Sequence, residues 1–271
     1  MSSNKQRLDT LLVDRCLAES RERAKRLILA GEVLVGGESY LKPGRLIPTD
    51  STIKIKQPLR YVSRGGLKLE KALQVFDVDV SGKVAIDVGA STGGFTDCLL
   101  QHGAKFVYAV DVGYGQLAWR LRRDPRVQAI ERTNIRQIDI ALFNQTIQIG
   151  VIDVSFISLR KVLPIAIHLV EPTGDILALI KPQFEAGREQ VGKGGVVRHP
   201  QIHIQVIQRL IQFVQDIGNC VVGLTYSPIR GPAGNIEYFL WLRGDSAVST
   251  PEWQDLTPEV VQQAHTELVN V

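Results

Sequence analysis

The chain has 271 residues, of which 44% are hydrophobic and 22% are charged. It contains no apolar run near the roughly 20 residues that cross a bilayer, which excludes a membrane-spanning protein and predicts two unequal soluble units. The formal net charge is +4, and residues 1–64 hold 13 Lys or Arg against 7 Asp or Glu, whereas residues 65–271 hold 19 against 21.

The basic front favours a small module that binds a polyanion, although a well-solvated basic face would account for the same charge. Charged residues interrupt the segment 1–15, which argues against a secretory signal and predicts a cytoplasmic protein without stable membrane association. Cys16, Cys98 and Cys220 are widely separated and form no CxxC pair, so we expect reduced thiols and no structural metal.

Two short helices and a small sheet are predicted at the front. The segment 6–19 carries leucines at near-helical spacing, and Ser20 is a suitable N-cap for a second helix that ends at Gly31. Short β-like pieces then alternate with Gly-Gly, Pro-Gly and Pro-Thr-Asp turns over 32–56.

The arginine-rich second helix and the turn after it resemble the αL RNA-binding module of ribosomal protein S4 over about the first sixty residues. The resemblance implies that the module binds structured RNA through its shape and phosphates. We place the module at 1–60, a linker at 61–66, a catalytic domain at 67–245 and a C-terminal tail at 246–271. The side chains expected to contact RNA are Arg7, Arg21, Arg23, Lys25, Arg26, Arg60 and Arg64.

The larger unit alternates helices with strands, which predicts an α/β fold with a mainly parallel sheet covered on both faces. A final antiparallel hairpin is expected, followed by a surface helix that starts at Thr257 and Pro258. The predicted strands are Lys83–Val88, Phe106–Val112, Val127–Thr133, Ile149–Val154, Asp175–Lys181, Cys220–Tyr226 and Glu237–Arg243.

The stretch 83-KVAIDVGASTGGFTD-97 predicts a strand that ends in a glycine turn and continues as a helix. In open parallel sheets such a turn binds ligands at the carboxyl ends of the strands. The glycine spacing does not match the G-x-G-x-x-G of dinucleotide sites, and Asp111, 24 residues beyond Asp87, is placed to accept hydrogen bonds from a ribose. An ordinary strand-to-helix turn is the alternative.

Together "DVGASTGGFTD" and "VDVGYGQL" resemble the S-adenosylmethionine site of seven-stranded Rossmann-like methyltransferases. Asn134 either contacts the adenine edge or simply forms a turn. The resemblance implies S-adenosyl-L-methionine as cofactor and a binding set of Asp87, Gly89, Ser91, Gly93, Gly94, Phe95, Thr96, Asp111 and Asn134.

Four further polar residues fall at the ends of predicted elements, namely Lys68, Asp153, Lys181 and Glu237. Methyl transfer to a ribose hydroxyl needs a partly deprotonated oxygen, and a lysine among other charges can take or steer that proton. Each residue alone would more often be solvated, and Asp153 could instead serve the methionine end of the cofactor.

These four residues resemble the Lys-Asp-Lys-Glu tetrad of FtsJ-type RNA 2′-O-methyltransferases. With "SRGGLKLEKAL", "DVSFISL", "KPQFE" and "GPAGNIEYF", nearly all of 6–243 resembles the TlyA family of rRNA cytidine-2′-O-methyltransferases, which are also labelled haemolysins. The resemblance implies Lys181 as the base and rRNA within ribosomal subunits, not DNA, as partner. A non-catalytic RNA-binding assembly factor and a haemolysin-like membrane-active protein are the alternatives.

Three other patterns have simpler interpretations. The segment 187–194 spells G-x-x-x-x-G-K, but the Ser or Thr of a phosphate-binding loop is missing after Lys193, so we predict a mobile loop. His199 and His203 have the spacing of a helical metal pair, yet a surface pair is favoured. Trp119 lies among arginines and is expected to pack its helix, although it could stack on a base.

Overall fold

The structure, a computed structural model, describes residues 4–55, 60–244 and 252–269, and the chain divides into the compact units Met1–Leu59 and Arg60–Val271. The stretch 61–66, predicted as a linker, therefore belongs to the second unit. Tyr61 is 2% exposed, and a Cβ at Gly66 would overlap its ring. Because Gly66 has no side chain, the Tyr61 ring packs directly on its backbone in the hydrophobic core of the second unit.

The first unit contains the predicted pair of helices and a small sheet. Ser20 Oγ accepts a hydrogen bond from the Arg23 amide at 3.2 Å and caps the second helix, as predicted. Strands β1 and β4 form an antiparallel pair, while β3, β2 and β5 form a separate antiparallel sheet in that order. The elements are β1 (Lys5–Arg7), α1 (Leu8–Asp14), α2 (Arg21–Leu29), β2 (Val33–Val35), β3 (Glu38–Ser39), β4 (Leu46–Pro48) and β5 (Ile53–Ile55).

The second unit alternates strands and helices. It opens with α3 (Gly65–Phe76), β6 (Val84–Val88), α4 (Gly94–Gln101), β7 (Phe106–Val110), α5 (Trp119–Arg122) and β8 (Val127–Ile130). It continues with β9 (Ile147–Ile152), α6 (Leu163–Leu169), β10 (Val170–Ile180), α7 (Pro182–Glu185) and α8 (Pro200–Asp216). The last described elements are β11 (Cys220–Tyr226), β12 (Tyr238–Arg243) and α9 (Trp253–Val269).

The seven strands of the second unit form one sheet in the order β11-β12-β10-β9-β6-β7-β8. Strand β12 pairs antiparallel with both of its neighbours, and the pairs from β10 to β8 are parallel. This arrangement confirms the predicted fold class. The chain runs outward from β6 to β8 and then returns to β9 on the other side of β6, so the switch point of the sheet lies between β6 and β9.

Both faces of this sheet are covered. Val84, Ile86 and Val88 of β6 point into a core that α6, α8 and α9 complete. Ala85, on the opposite face, joins a second core with α3 and α4. Alternate residues of a strand point to opposite faces, and β6 is buried on both, so its sequence is continuously apolar before Asp87.

The C-terminal helix differs from its prediction as a surface helix beginning at Thr257 and Pro258. Helix α9 begins at Trp253, and Val261 and Ala264 are each 0% exposed in the core that it shares with α8. Its apolar residues recur at helical spacing and pack inward. The part of the predicted tail at 246–251 lies outside the described residues.

Ala264→Asp tests whether α9 is part of the core. The substitution places an unpaired carboxylate in a fully buried position and should lower the free energy of unfolding by about 3 kcal/mol or more. Gln262→Asp, on the exposed face of the same helix, is the matched control and should change it by less than about 0.5 kcal/mol. Equal effects in denaturant titrations would contradict the packing of α9.

Candidate active site

The glycine turn after β6 lies against the end of β9. Gly89 has φ +89°, and a Cβ at this position would overlap the backbone carbonyl oxygen of Asp153. The backbone amide of Asp153 donates a hydrogen bond to the carbonyl of Val88 at 2.9 Å. Gly93 has φ +96°, and a Cβ there would overlap the side chain of Leu121. Only glycine tolerates both this conformation and this close approach, which explains the glycines of the turn.

Asp87, Gly93 and Thr96, three of the predicted cofactor-binding residues, line neither of the two cavities described below, and their contact with a ligand stays a prediction. Asp87 is fully buried, and its Oδ2 accepts hydrogen bonds from the Thr96 amide at 2.9 Å and the Thr96 hydroxyl at 2.7 Å. Burial raises the pKa of Asp87 to about 7, although the hydrogen bonds from Thr96 act to lower it. These residues fix the start of α4 and thereby the shape of the turn.

A cavity of about 480 Å³, the β7 cavity, opens beside this turn. Asp111 lines it, and its two carboxylate oxygens accept from the Ser91 amide at 2.7 Å and the Gly113 amide at 2.6 Å. Each oxygen retains a further acceptor position. Asn134 also lines the β7 cavity, although its Oδ1 caps the next turn by accepting from the Arg136 amide at 3.1 Å. Both predicted residues therefore reach this cavity, and Asn134 does form a turn.

A second cavity of about 640 Å³, the lysine cavity, contains all four tetrad side chains. Lys68 Nζ lies 2.5 Å from Glu237 Oε2, and Lys181 Nζ lies 2.6 Å from Asp153 Oδ1. Lys181 also donates to Ser155 Oγ at 2.8 Å. The predicted tetrad is thus two lysine–carboxylate pairs facing one space. Gly94 and Phe95 line this cavity as well, while Gly89 and Ser91 line both cavities.

Strand direction explains why these residues meet. Asp153 and Lys181 directly follow the parallel neighbours β9 and β10, so both leave the sheet at its carboxyl edge. Glu237 directly precedes β12, which runs antiparallel, and therefore lies at the same edge. Lys68 reaches the cavity from the first turns of α3.

The Lys68–Glu237 pair is largely removed from water. The Glu237 side chain is 1% exposed and that of Lys68 is 9% exposed. Burial raises the pKa of Glu237, while the ammonium of Lys68 and then that of Lys181 oppose the rise. Because a buried pair is costly to break, each partner holds the other in place.

Several residues that line the lysine cavity carried no recognised signal in the sequence. Phe156 is 90% exposed with φ +63°, and its ring lies 4.9 Å from that of Phe184. Ser155 and Arg230 also line the cavity. Ser155 and Phe156 follow the end of β9. The rule that ligands bind at the carboxyl ends of parallel strands, here called the carboxyl-edge rule, could therefore have identified them. Arg230 comes from the loop before β12 and carried no such signal.

In the first unit, two of the predicted RNA-binding arginines are held by one buried carboxylate. Arg7 donates to Asp9 at 3.0 and 2.8 Å, and Arg21 lies 3.3 Å from the same group. The hydrogen bond from Arg7 is the main reason that the pKa of Asp9 falls to about 2. Asp9 is 0% exposed while both arginines remain exposed, so their positions are fixed at the surface.

The other predicted RNA-binding residues have different surroundings. Lys25 pairs with Glu22 at 2.8 Å, while Arg23 and Arg26 are exposed on α2. The remaining two belong to the second unit. Arg60 is paired with Glu70, whereas Arg64 donates to the carbonyl of Arg230 at 3.1 Å and lines the lysine cavity.

Trp119 is 70% exposed, so the expectation that it packs its helix is wrong. Leu121 fills that role, since it is 3% exposed and packs against Gly93. The guanidinium of Arg123 lies 5.7 Å from the centre of the Trp119 ring.

Two family models match the chain, one for each unit. The S4 domain matches residues 6–53, and the FtsJ-like methyltransferase matches residues 61–244. The Mycobacterium tuberculosis 16S/23S rRNA (cytidine-2′-O)-methyltransferase TlyA is 44% identical over 261 residues, which cover 95% of this chain and 97% of TlyA.

A protein of Brachyspira hyodysenteriae named Hemolysin A is 45% identical over 233 residues, which cover 86% of this chain and 97% of that protein. A solved structure from Streptococcus thermophilus matches with a TM-score of 0.76 and 47% identity, covering 99% of this chain and 98% of that chain. In the parts of the chain that the structure describes, no helix has the length and apolar character needed to cross a membrane.

Asp87→Asn tests the buried carboxyl behind the turn. The folded pKa of about 7 lies above that of an unfolded Asp, so this group favours the folded state below about pH 4 and loses that effect as the pH rises to 7. The unfolding free energy of the wild type relative to the variant should therefore fall between pH 4 and 7, by at most about 1.4 kcal/mol per pH unit. A pH-independent difference in denaturant titrations would contradict the assigned pKa.

Proposed function

We propose a reaction on the premise that this chain belongs to the TlyA family of FtsJ-like methyltransferases with an S4 domain. The reaction is methyl transfer from S-adenosyl-L-methionine to the 2′-oxygen of a cytidine ribose in rRNA. The observation that carries this proposal is the meeting of two lysine–carboxylate pairs in one cavity. The β7 cavity adjoins the lysine cavity and contains Asp111, whose carboxylate is suited to a ribose.

The residues of the β7 cavity fit the nucleoside part of this cofactor. The free acceptor positions of Asp111 suit the two hydroxyls of a ribose, and the amide of Asn134 suits an adenine edge. The methionine end would lie along Gly89 and Ser91, which both cavities share. When bound, the cofactor supplies an electrophilic methyl group whose bond to sulfur breaks as the bond to the ribose oxygen forms.

Lys181 is assigned as the base that takes the proton from the ribose hydroxyl. Its Nζ is fixed by Asp153 and Ser155 at 2.6 and 2.8 Å, so it has one defined position in the cavity. The O–H electron pair then forms the new bond to carbon, while the proton passes to Nζ. Lys181 can take this proton only as a neutral amine, with a free electron pair on Nζ.

The Lys68–Glu237 pair is assigned to orienting the ribose. Its two groups satisfy each other at 2.5 Å in a largely buried position, and the pair forms a fixed dipole at the wall of the lysine cavity. A preorganised dipole stabilises developing charge without rearrangement during the reaction. Asp153 in turn holds Lys181, so each carboxylate positions one lysine.

The basic residues of the chain are assigned to binding the RNA substrate. Arg7, Arg21, Arg23, Lys25 and Arg26 belong to the S4 unit, and Arg64 lies at the lysine cavity itself. Exposed arginines bind phosphates without reading sequence, which suits a folded RNA. We infer that the substrate is rRNA within a ribosomal subunit and that the protein acts in the cytoplasm.

Lys181→Ala and Lys181→Arg test the assigned base, because arginine keeps the positive charge but does not lose a proton in proteins. Both variants should lower kcat for tritiated methyl transfer to unmodified ribosomal subunits by at least about 100-fold. Cofactor affinity, measured by calorimetry, should stay within about threefold of the wild type, since Lys181 lines only the lysine cavity.

Lys105→Ala is the matched control, because this exposed lysine directly precedes β7, at the amino edge of the sheet. Its activity should match that of the wild type. If Lys181→Arg retained most of the activity, Lys181 would act through charge and not as a base. Absence of transfer by the wild type with intact cofactor binding would refute the reaction itself.

Arg23→Ala with Arg26→Ala tests the S4 unit as the RNA-binding part. Loss of two phosphate contacts should weaken binding to ribosomal subunits and lower the slope of log K against log salt by about 2. The kcat at saturating RNA should stay unchanged. Arg209→Ala, an exposed arginine on α8, is the control. An unchanged salt dependence in the double variant would exclude these arginines from the interface.

A further inference from the structure

The segment 192–198 forms part of the wall of the lysine cavity. Gly194 and Gly195 line the cavity, with φ +79° and +74°, and a bridge between Gly192 and Val196 closes the turn. Consecutive glycines leave the backbone free to adopt many conformations. The mobile loop predicted at 187–194 overlaps this segment, so any fixed position must come from contacts with the rest of the unit.

Asn235 supplies two such contacts. Its Oδ1 accepts a hydrogen bond from the Val197 amide at 2.9 Å, and its Nδ2 donates to the carbonyl of Gly195 at 2.9 Å. Asn235 is 1% exposed and lines the lysine cavity. Because both ends of its amide bind the segment, Asn235 is suited to holding the wall and not to contacting the substrate.

His203 supplies a third contact from α8. Its Nε2 lies 2.9 Å from the carbonyl of Val197, which can only accept, so Nε2 carries the hydrogen and Nδ1 accepts from the Tyr238 hydroxyl at 2.7 Å. His203 is 0% exposed, which corrects the prediction that it forms a surface pair with His199. Burial lowers the pKa of His203 to about 4, in agreement with a neutral ring.

These contacts tie the segment to the tetrad. Asn235 and Tyr238, the two ends of the network, flank Glu237 in the chain, and all three are nearly or fully buried. The same short stretch therefore places the carboxylate in its pair with Lys68 and anchors the 192–198 wall. A shift of the wall would be coupled to a shift of Glu237.

We propose that Asn235 and His203 are positioning residues for methyl transfer, which hold the segment 192–198 as a preformed wall against which the RNA ribose is aligned. The proposal rests on the proposed function above. Asn235 hydrogen-bonds two backbone groups of the segment, and His203 links one of them to the Tyr238 hydroxyl, so both act through the segment and do not touch the reacting atoms. Small misplacements of a reacting group are costly, and a fixed wall limits them.

Asn235→Ala and His203→Ala test this anchor by two independent readouts. Trypsin reports on the backbone, because Lys193 and Arg198 lie within the segment, and cleavage there should become several-fold faster in both variants. The kcat for methyl transfer to ribosomal subunits should fall roughly 10- to 100-fold, with a smaller change in KM and an unchanged affinity for S-adenosyl-L-methionine.

His203→Gln can keep an N–H donor toward Val197 and should restore most of the kcat lost in His203→Ala. Asn219→Ala and His168→Ala are the matched controls, since both lie outside the two cavities, and they should behave as the wild type. If Asn235→Ala does not fold, the comparison of His203→Ala with His203→Gln decides the question.

Wild-type kcat together with faster cleavage would overturn the proposal, because the wall would then be irrelevant to transfer. Lost activity with unchanged cleavage would also overturn it, since Asn235 would then act on the substrate directly. If the wild type transfers no methyl group, the proposed function fails and the catalytic role of the anchor fails with it, while faster cleavage in the variants would still identify the contacts as an anchor.

Discussion

The active site depends on one close approach, that of Gly89 to the carbonyl group of Asp153. It joins the turn after β6 to the end of β9 at the switch point of the sheet. Because no side chain fits between the two backbones, the β7 cavity and the lysine cavity share residues on both sides of the contact. A ligand held by Asp111 can therefore reach the space that contains Lys181. Asp153 itself lines both cavities.

Around this contact, charge is arranged in pairs. Lys68 with Glu237 and Lys181 with Asp153 bring two positive and two negative groups into one cavity, and these four charges cancel. Each charge has a partner within hydrogen-bonding distance, which offsets the cost of removing it from water. Asn235 and His203 satisfy backbone groups of the 192–198 segment in the same way, since they bind the amide and carbonyl of Val197 and the carbonyl of Gly195.

The sequence predicted the parts of the molecule that follow from local pattern. The apolar run into Asp87 located β6, and strand ends located Asp153 and Lys181, because periodicity and the carboxyl-edge rule are visible in the chain. It could not predict which side chains would be buried by distant elements. His203 and α9 were assigned to the surface because their partners lie far away in sequence, and the exposure of Trp119 depends on Leu121 occupying the interior instead.

The central claim is that the paired lysines act on a ribose hydroxyl. Its most direct measurement is mass spectrometry of nucleosides from unmodified ribosomal subunits treated with the protein and labelled S-adenosyl-L-methionine. The account predicts label in 2′-O-methylcytidine, lost in Lys181→Ala. Label on a base, or label in 2′-O-methylcytidine that persists in Lys181→Ala, would contradict it.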